Sequence, residues 1–440
     1  MLDKWPRFKS LKEIGEADNG REVAVAGWLE DLRNLGGIAF LLLRQREGTL
    51  QVTMVKADDE DVFRALTALP RESILAIRGK VKLNPKVRNG FEVFPSSYEV
   101  LSLAEKPLPL GVVDKVGAEM DTRLDNRFMD LRKVEIRAVF QMRAKIVAGI
   151  RRYMEKAAFV ETHTPKVISA GAEGGATLFR VDYFGRTAYL AQSPQLYKQM
   201  LMATGLDRVY EIAPAFRAEL SDTVRHTSEF VSFDAEMAFI RSQEEVLRAL
   251  EGAVVNALKH IKKTAGAEMD ILGIDLEVPK TPVPRLHYEE AREILEEEGR
   301  PVPEGEDIDT EAEKILGQAL RREGHVLYYI VGYPSEIKPF YVMVNEEEPE
   351  YSHSFDLEYM GDEMASGGQR EHRYPQLVRR IRHKGLDPAD FEFYLKVFRY
   401  GMPPHGGWGF GVDRFVAKVA GLGNIREAIL FPRDRQRLVP

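Results

Sequence analysis

The sequence predicts an α+β protein of two folded parts: a small closed β-barrel first, then a larger domain built on an antiparallel sheet flanked by helices. Three observations predict it. Residues 1–104 alternate short β-rich runs with turn signals, residues 105–133 break that pattern with prolines and charge, and residues 134–440 mix β-rich and helical runs. Because the strands of the last part do not alternate regularly with helices, an antiparallel sheet is favoured over a doubly wound one.

Within the first part the β-rich runs are Val23–Leu29, Ile38–Leu43, Leu50–Val55, Ile74–Leu83, Phe91–Phe94 and Tyr98–Leu103. Five or so strands at this spacing suit a barrel, and an OB-fold is built this way. Arg46-Glu47-Gly48 and Arg88-Asn89-Gly90 read as tight turns, and Asp58–Leu69 has the apolar spacing of one short helix. Lys106-Pro107-Leu108-Pro109-Leu110-Gly111 and the charged stretch Glu119–Lys133 then read as a hinge or linker. From Val134 to Phe159, Ile136, Phe140, Val147, Ile150 and Met154 recur at helical spacing, which predicts a long amphipathic helix opening the second domain. Beyond it, strands are expected at Thr187–Ala191, Val209–Ile212, Val326–Val331 and Phe340–Val344. Helices are expected at Gln195–Ala203, Gln243–Ala265, Tyr288–Glu298 and Glu311–Glu323.

At 440 residues, with 44% hydrophobic and 30% charged, the chain has ample material for two cores. Met1–Gly20 is too polar for a signal peptide and no apolar run is long enough to span a bilayer, so a cytoplasmic location without membrane is expected. The absence of cysteine excludes disulfides, thiolate metal sites and cysteine nucleophiles, and leaves oxygen or imidazole to hold any metal. The net charge of −7 is unevenly spread. Residues 1–100 carry 16 Lys+Arg against 15 Asp+Glu, a balance of +1, which leaves −7 − (+1) = −8 for the rest. A nucleic-acid partner for the first part therefore stays open.

Neither a Walker loop nor a GxGxxG after a strand is present, so a nucleotide would have to be held by side chains. Arg217 in Phe216-Arg217-Ala218-Glu219, Arg225 beside His226, and Arg414 in Gly409-Phe410-Gly411-Val412-Asp413-Arg414 are the candidates. A guanidinium donates in a planar fork and stays charged at any working pH.

These segments carry a resemblance to the class II aminoacyl-tRNA synthetases, whose three signatures follow in order. The first is the long helix running into Phe159-Val160-Glu161-Thr162-His163-Thr164-Pro165. The second is Tyr210–Glu219, a loop, and Arg225–Phe230 through Asp234 and Glu236; the third is Gly406–Phe415. Gln192-Ser193-Pro194-Gln195-Leu196-Tyr197-Lys198 and Ser366-Gly367-Gly368-Gln369-Arg370 resemble the aspartate-specific branch. The resemblance implies an N-terminal OB-fold anticodon-binding domain (1–104) and a class II catalytic domain (134–440). It also implies a homodimer joined through the first signature and ATP-dependent transfer of L-aspartate to tRNA(Asp).

Position by position, the resemblance makes Arg217 the grip on the α-phosphate. Arg414 lies against adenine and reaches the γ-phosphate, with Phe230 on the opposite face of the ring. Arg225 and His226 approach the outer phosphates, and Glu219 the adenine edge. Asp356 and Glu363 match the acids that hold Mg²⁺, which prefers a few carboxylates plus phosphate oxygens. Lys198 and Arg370 match the cations that clamp the aspartate side chain, an arrangement that disfavours neutral asparagine. Gln195 and Asp234, helped by Ser193, receive the substrate ammonium. Ser366 belongs to the same amino-acid site, and Glu173 lies on a glycine-hinged closing loop. In the barrel, Arg33, Phe40 and Gln51 match anticodon readers, with Glu30 and Lys86 near the third base. His405 is expected to shape a turn or touch substrate, and Leu220–Val224 to meet the acceptor end. The compact build resembles the archaeal and eukaryotic type. Alternatives are an enzyme that also charges tRNA(Asn), which Lys86 opposes, an asparaginyl enzyme, which Lys198 and Arg370 oppose, and a paralogue that only binds RNA.

Overall fold

The computed structural model describes residues 4–113, 117–169, 171, 177–219 and 223–440. Contacts divide the chain into two units at the Lys133–Val134 peptide.

In the first unit, β1 (Glu22–Asn34), β2 (Ile38–Gln45), β3 (Gly48–Val55), β4 (Ile74–Leu83) and β5 (Phe91–Ser102) close a barrel in the order β1-β2-β3-β5-β4. Helix α1 (Glu60–Thr67) follows β3, its start capped by Asp59, whose carboxylate accepts from the Val62 N–H. Strand alternation sends Ala39, Leu41 and Leu43 of β2 and Leu50, Val52 and Met54 of β3 into the core. Their neighbours Phe40 and Gln51 are therefore carried on the outer face. The two strands expected at Phe91–Phe94 and Tyr98–Leu103 are one. The register slips between Arg78 and Gly79, opposite Pro95–Ser97, so a bulge absorbs the proline that suggested a break. Gly79 permits this approach, since a Cβ there would lie 2.2 Å from the Phe94 carbonyl oxygen.

The stretch expected as a linker carries two short helices, α2 (Met120–Asp125) and α3 (Arg127–Asp130), and its contacts group it with the barrel. Arg132 Nη1 donates to Glu72 Oε2 at 2.8 Å, and the Arg127–Asp130 pair is fully buried at 2.7 Å.

The second unit opens with α4 (Val134–Lys156). The stripe it buries is Val139, Met142, Ile146, Ile150 and Met154, while Phe140 and Val147, expected on that face, are only half-buried. Three short strands, β7 (Val167–Ile168), β8 (Arg180–Tyr183) and β9 (Arg186–Leu190), form a small sheet that follows β6 (Val160–Glu161). After α5 (Gln195–Leu201) come β10 (Arg208–Phe216), β11 (Glu229–Ala238), α6 (Gln243–Thr264) and α7 (Gly266–Leu272). Then follow β12 (Arg285–His287), α8 (Tyr288–Glu297), α9 (Thr310–Arg322), β13 (Leu327–Val331), β14 (Ser354–Tyr359) and β15 (Glu363–Gln369). The chain ends with α10 (Tyr374–His383), α11 (Glu392–Arg399), β16 (His405–Gly411) and α12 (Val412–Val419). The main sheet has the order β12-β13-β14-β15-β16-β11-β10-β6, antiparallel except at its two outermost pairs. Helices α4 and α6 cover one face; a Cβ on Gly149 would lie 2.8 Å from Ala257 Cα, so the helices touch almost backbone to backbone.

No strand forms at Phe340–Val344. The Val342 N–H turns back to the Pro339 carbonyl, leaving only isolated pairings to Arg370 and Ser352. Phe340, Tyr341 and Val342 instead bury against α10 and α11.

Candidate active site

Strands β10, β11, β15 and β16 carry a cavity of about 390 Å³ on the sheet. Eleven of the residues singled out in the sequence line it: Ser193, Gln195, Arg217, Glu219, His226, Phe230, Asp234, Glu363, Ser366, Arg370 and Arg414. Register explains the convergence, because Asp234, Gly409 and Ser366 stand in one row across β11, β16 and β15. Glycines on the middle strand make room. A Cβ on Gly407 would meet Glu236 Oε2 at 2.2 Å.

One end of the cavity is built from paired charges. Lys198 on α5 is buried and donates to Asp234 Oδ1 at 2.8 Å and to the Trp408 carbonyl at 2.7 Å; Glu236 Oε2 lies 3.9 Å away. Asp234 also accepts from the Ser232 hydroxyl at 2.5 Å. Arg370 points Nε and Nη2 at the two Glu236 oxygens, at 3.0 and 3.3 Å, and its guanidinium lies 5.4 Å from the Tyr341 ring centroid. Burial opposes the charge of Arg370, but Glu236 outweighs it and raises the guanidinium pKa. Behind these, Gln195 donates to Gln199 at 2.8 Å. Gln199 Nε2 in turn lies 3.1 Å from Nε2 of His405, whose Nδ1 is 2.8 Å from the Pro403 carbonyl. An Nδ1–H tautomer satisfies both contacts. Burial pushes His405 down to about 4, so it is a neutral structural group behind the cavity.

The other end is arginine-rich. The Arg217 guanidinium lies 5.4 Å from the Phe230 ring centroid. Arg414 Nη1 donates to the Glu363 carbonyl at 2.7 Å and lies 3.5 Å from Glu363 Oε2. His226 is held by Thr223 at 2.6 Å, and burial lowers its pKa. Three residues are not brought to the cavity wall, the first of them Lys198, which is bonded to Asp234 and the Trp408 carbonyl behind it. Arg225 turns to Asp362 and Glu313, and Asp356 is tied to Lys338 Nζ at 2.9 Å. The β14–β15 register sets Glu363 opposite Glu358, and Asp356 opposite Ser366. Asp356 Oδ1 and Glu358 Oε2 are buried with no hydrogen-bond partner. Burial and the Glu363 carboxylate push Glu313 up to about 7, with Arg225 and Arg414 pulling the other way. Among the described residues no three acids or histidines form a ready metal cage. Glu173 lies outside the described residues, as do 220–222 of the expected acceptor-end loop.

Sequence reasoning gave no role to Gln192, Lys338 and Tyr341, which also line the cavity, and placed Glu236 in a signature without a function. Lys338, in Glu336-Ile337-Lys338-Pro339, carries no local signal. Its burial against Asp356 and the Tyr333 ring, 3.7 Å away, is a tertiary fact.

On the barrel, Arg33 and Phe40 are cross-strand partners, Phe40 faces Thr53, and Leu42 faces Gln51. Gln51 and Thr53 donate to Glu92 at 3.0 Å and over a shorter contact. Burial raises the Glu92 pKa, but these bonds and one from Asn84 hold it below the usual range. Glu30 accepts from the buried Arg44 at 3.3 Å, and Lys86 is exposed in the β4–β5 turn. The outer face of β1–β3 thus offers one aromatic ring, the Arg33 cation paired with it, and the Gln51 amide, which is bonded to Glu92.

The second unit holds a sheet cavity with Arg370 at one end and Arg217 and Arg414 at the other, and the first unit is a barrel with a polar outer face. Residues 119–435 match the family of tRNA synthetases class II (D, K and N), and residues 23–101 match the OB-fold nucleic acid binding domain. The chain belongs to that class II synthetase family. It is similar to an aspartate–tRNA(Asp) ligase of Pyrococcus furiosus, 51% identical over 97% of this chain and 98% of that one. It is 47% identical to an aspartate–tRNA(Asp/Asn) ligase of Methanothermobacter thermautotrophicus, over the whole of both. Among solved structures it is similar to asparaginyl-tRNA synthetase from Pyrococcus horikoshii complexed with asparaginyl-adenylate. That match has a TM-score of 0.93 at 32% identity, over 99% of this chain and 100% of that one.

Proposed function

We propose that the chain is an aspartate–tRNA ligase that activates L-aspartate with ATP and transfers it to the terminal adenosine of tRNA(Asp). The carrying observation is the cavity's polarity. Asp234 and Arg370 line one end, with Lys198 bonded to Asp234 just behind the wall, and Arg217, Phe230 and Arg414 line the other. In this reading the substrate carboxylate side chain takes hydrogen bonds from Lys198 and Arg370, and Asp234 and Gln195 receive the ammonium. That orientation points the α-carboxylate toward Arg217, which steadies the α-phosphate as the carboxylate oxygen attacks it and pyrophosphate leaves. Phe230 and Arg414 sandwich the adenine. The terminal ribose hydroxyl of the tRNA then attacks the mixed anhydride and displaces AMP. No protein nucleophile is required.

Magnesium fits this end of the site, because Glu363 lines it with hard oxygen donors and Asp356 keeps a buried oxygen unsatisfied. When bound, it neutralises triphosphate charge. Arg33, Phe40 and Gln51 supply stacking and edge contacts for anticodon bases. Exposed Lys86 favours a strict enzyme over one that also aspartylates tRNA(Asn). Homodimerisation is read from exposed Val160 and Val167, which flank an open, largely apolar hollow lined by Thr162, Pro165 and Leu201. Sedimentation at micromolar concentration checks it. A cytoplasmic location is part of the proposal; among the described residues no helix is long and apolar enough to cross a membrane.

Aspartate-dependent exchange of pyrophosphate into ATP is the deciding assay. Exchange driven by asparagine would overturn the amino-acid assignment. Charging of purified tRNA(Asp) and tRNA(Asn) in parallel separates a strict enzyme from a dual one.

A further inference from the structure

Glu313 on α9 does not line the cavity, yet it stands behind residues that the nucleotide end uses. Its Oε2 is 3.3 Å from Arg225 Nη2 and 3.5 Å from the Glu363 backbone N–H. The helix is held there by backbone contact. A Cβ on Gly317 would lie 2.3 Å from Gly361 Cα, and one on Gly361 would lie 3.0 Å from the Glu313 carbonyl oxygen. Met360 and Gly361 both have positive φ, +54° and +74°, so α9 sits on a tight hairpin turn whose second left-handed position suits glycine. In that turn Asp362 pairs with both Arg225 and Lys418, while Arg414 grips the Glu363 carbonyl. One half-buried carboxylate therefore joins α9, the β14–β15 hairpin and the segment carrying Arg225 and His226.

We infer that Glu313 is a positioning residue for ATP. It fixes the Arg225 side chain and the Glu363 backbone so that His226, Glu363 and Arg414 face one triphosphate. The inference rests on the proposed function only in taking ATP as the ligand of the arginine-rich end. A bond that orients phosphate-binding groups, without touching aspartate, acts on one substrate and spares the other.

The test compares wild type with Glu313→Gln, which keeps size and removes the charge. ATP affinity is measured by calorimetry with magnesium present, and both KM values by pyrophosphate exchange. The expected result is ATP binding about tenfold weaker and a matching rise in the KM for ATP, with the KM for aspartate within twofold. Should that variant not fold, Glu313→Asp, which keeps the charge but shortens the reach, is expected to weaken ATP about threefold. Unchanged ATP affinity in a folded variant, or equal weakening of ATP and aspartate, would overturn the inference. Wild type that binds ATP but shows no aspartate-dependent exchange would sink the functional proposal alone, since the ATP affinity ratio still decides Glu313. Wild type that does not bind ATP sinks both.

Discussion

Replacing Lys198 tests the cation end in both stability and function. Together with Arg370, Asp234 and Glu236 it makes a buried set of two positive and two negative charges, 2 − 2 = 0. Lys198→Met leaves two carboxylates against one guanidinium and takes the donor from the Trp408 carbonyl. Breaking a buried pair from one side costs about 3–5 kcal/mol, because the partner charge stays in place without water. Asp234→Asn breaks the same pair from the other side at a similar cost. The double variant leaves neither charge stranded, so its loss should fall short of the sum by at least about 2 kcal/mol. Urea unfolding reads this directly in a chain with Trp5 and Trp28 changed to Phe, in which Trp408 reports on the second unit alone. All three variants should lose aspartate activation and keep ATP affinity. Additive stability losses, or an unchanged KM for aspartate in Lys198→Met, would refute the pairing argument.

Burial holds the His405 pKa at about 4, below the ordinary 6.5, so the unfolded chain binds the extra proton first. Stability from this group is complete above pH 6.5 and is lost as pH falls toward 4, by roughly 3 kcal/mol. His405→Asn should flatten that part of the curve, and a slope unchanged in urea midpoints between pH 7 and 4.5 would count against it. Phe40→Ala should lower kcat/KM for tRNA charging by ten- to a hundredfold, the worth of about one stacked base. It should leave exchange untouched, and a stability loss above about 1 kcal/mol would instead mark Phe40 as a core residue. Gly79→Ala forces a Cβ against the Phe94 carbonyl and should destabilise the barrel by about 1–3 kcal/mol or more. In Trp28 fluorescence the first unit should then melt early, with tRNA charging lost while pyrophosphate exchange persists.

What the sequence made legible follows the reach of periodicity. The barrel strands and α4 declare themselves because alternation and helical spacing are local, and the register of β11, β15 and β16 brings distant signature segments to one cavity. The failures are tertiary. Pro95 suggested two strands because a bulge opposite Gly79 is invisible without the partner strand. Phe340–Val344 is apolar enough for a strand, but a turn at Pro339 sends its side chains to α10 and α11. Glu313 stands among Glu311, Lys314 and Arg321, where a carboxylate reads as solvated. The close approach of Gly317 to Gly361 brings it against the β14–β15 hairpin.

A neutral set of charges can still select an acidic substrate. Glu236 does not cancel the cavity's cations so much as aim them. A buried guanidinium without a partner would be costly, and the two contacts from Nε and Nη2 fix the plane of Arg370 before any ligand enters. Tyr341 stacks beside that plane, and Gly407 leaves the space in which Glu236 sits. A carboxylate arriving at the fork then gains charge-assisted hydrogen bonds without ordering the arginine. An amide gains weaker ones and presents an N–H₂ to donors that cannot accept it. One such bond is worth about 1.5–3 kcal/mol, so the discrimination expected is roughly ten- to a hundredfold per contact. Under the proposed function, selectivity of this kind would reside in three side chains, Lys198, Glu236 and Arg370, and not in the fold. Glu236→Gln should therefore erode the preference for aspartate over asparagine while leaving ATP affinity unchanged, and a preference that survives it would show that Arg370 is aimed by something else.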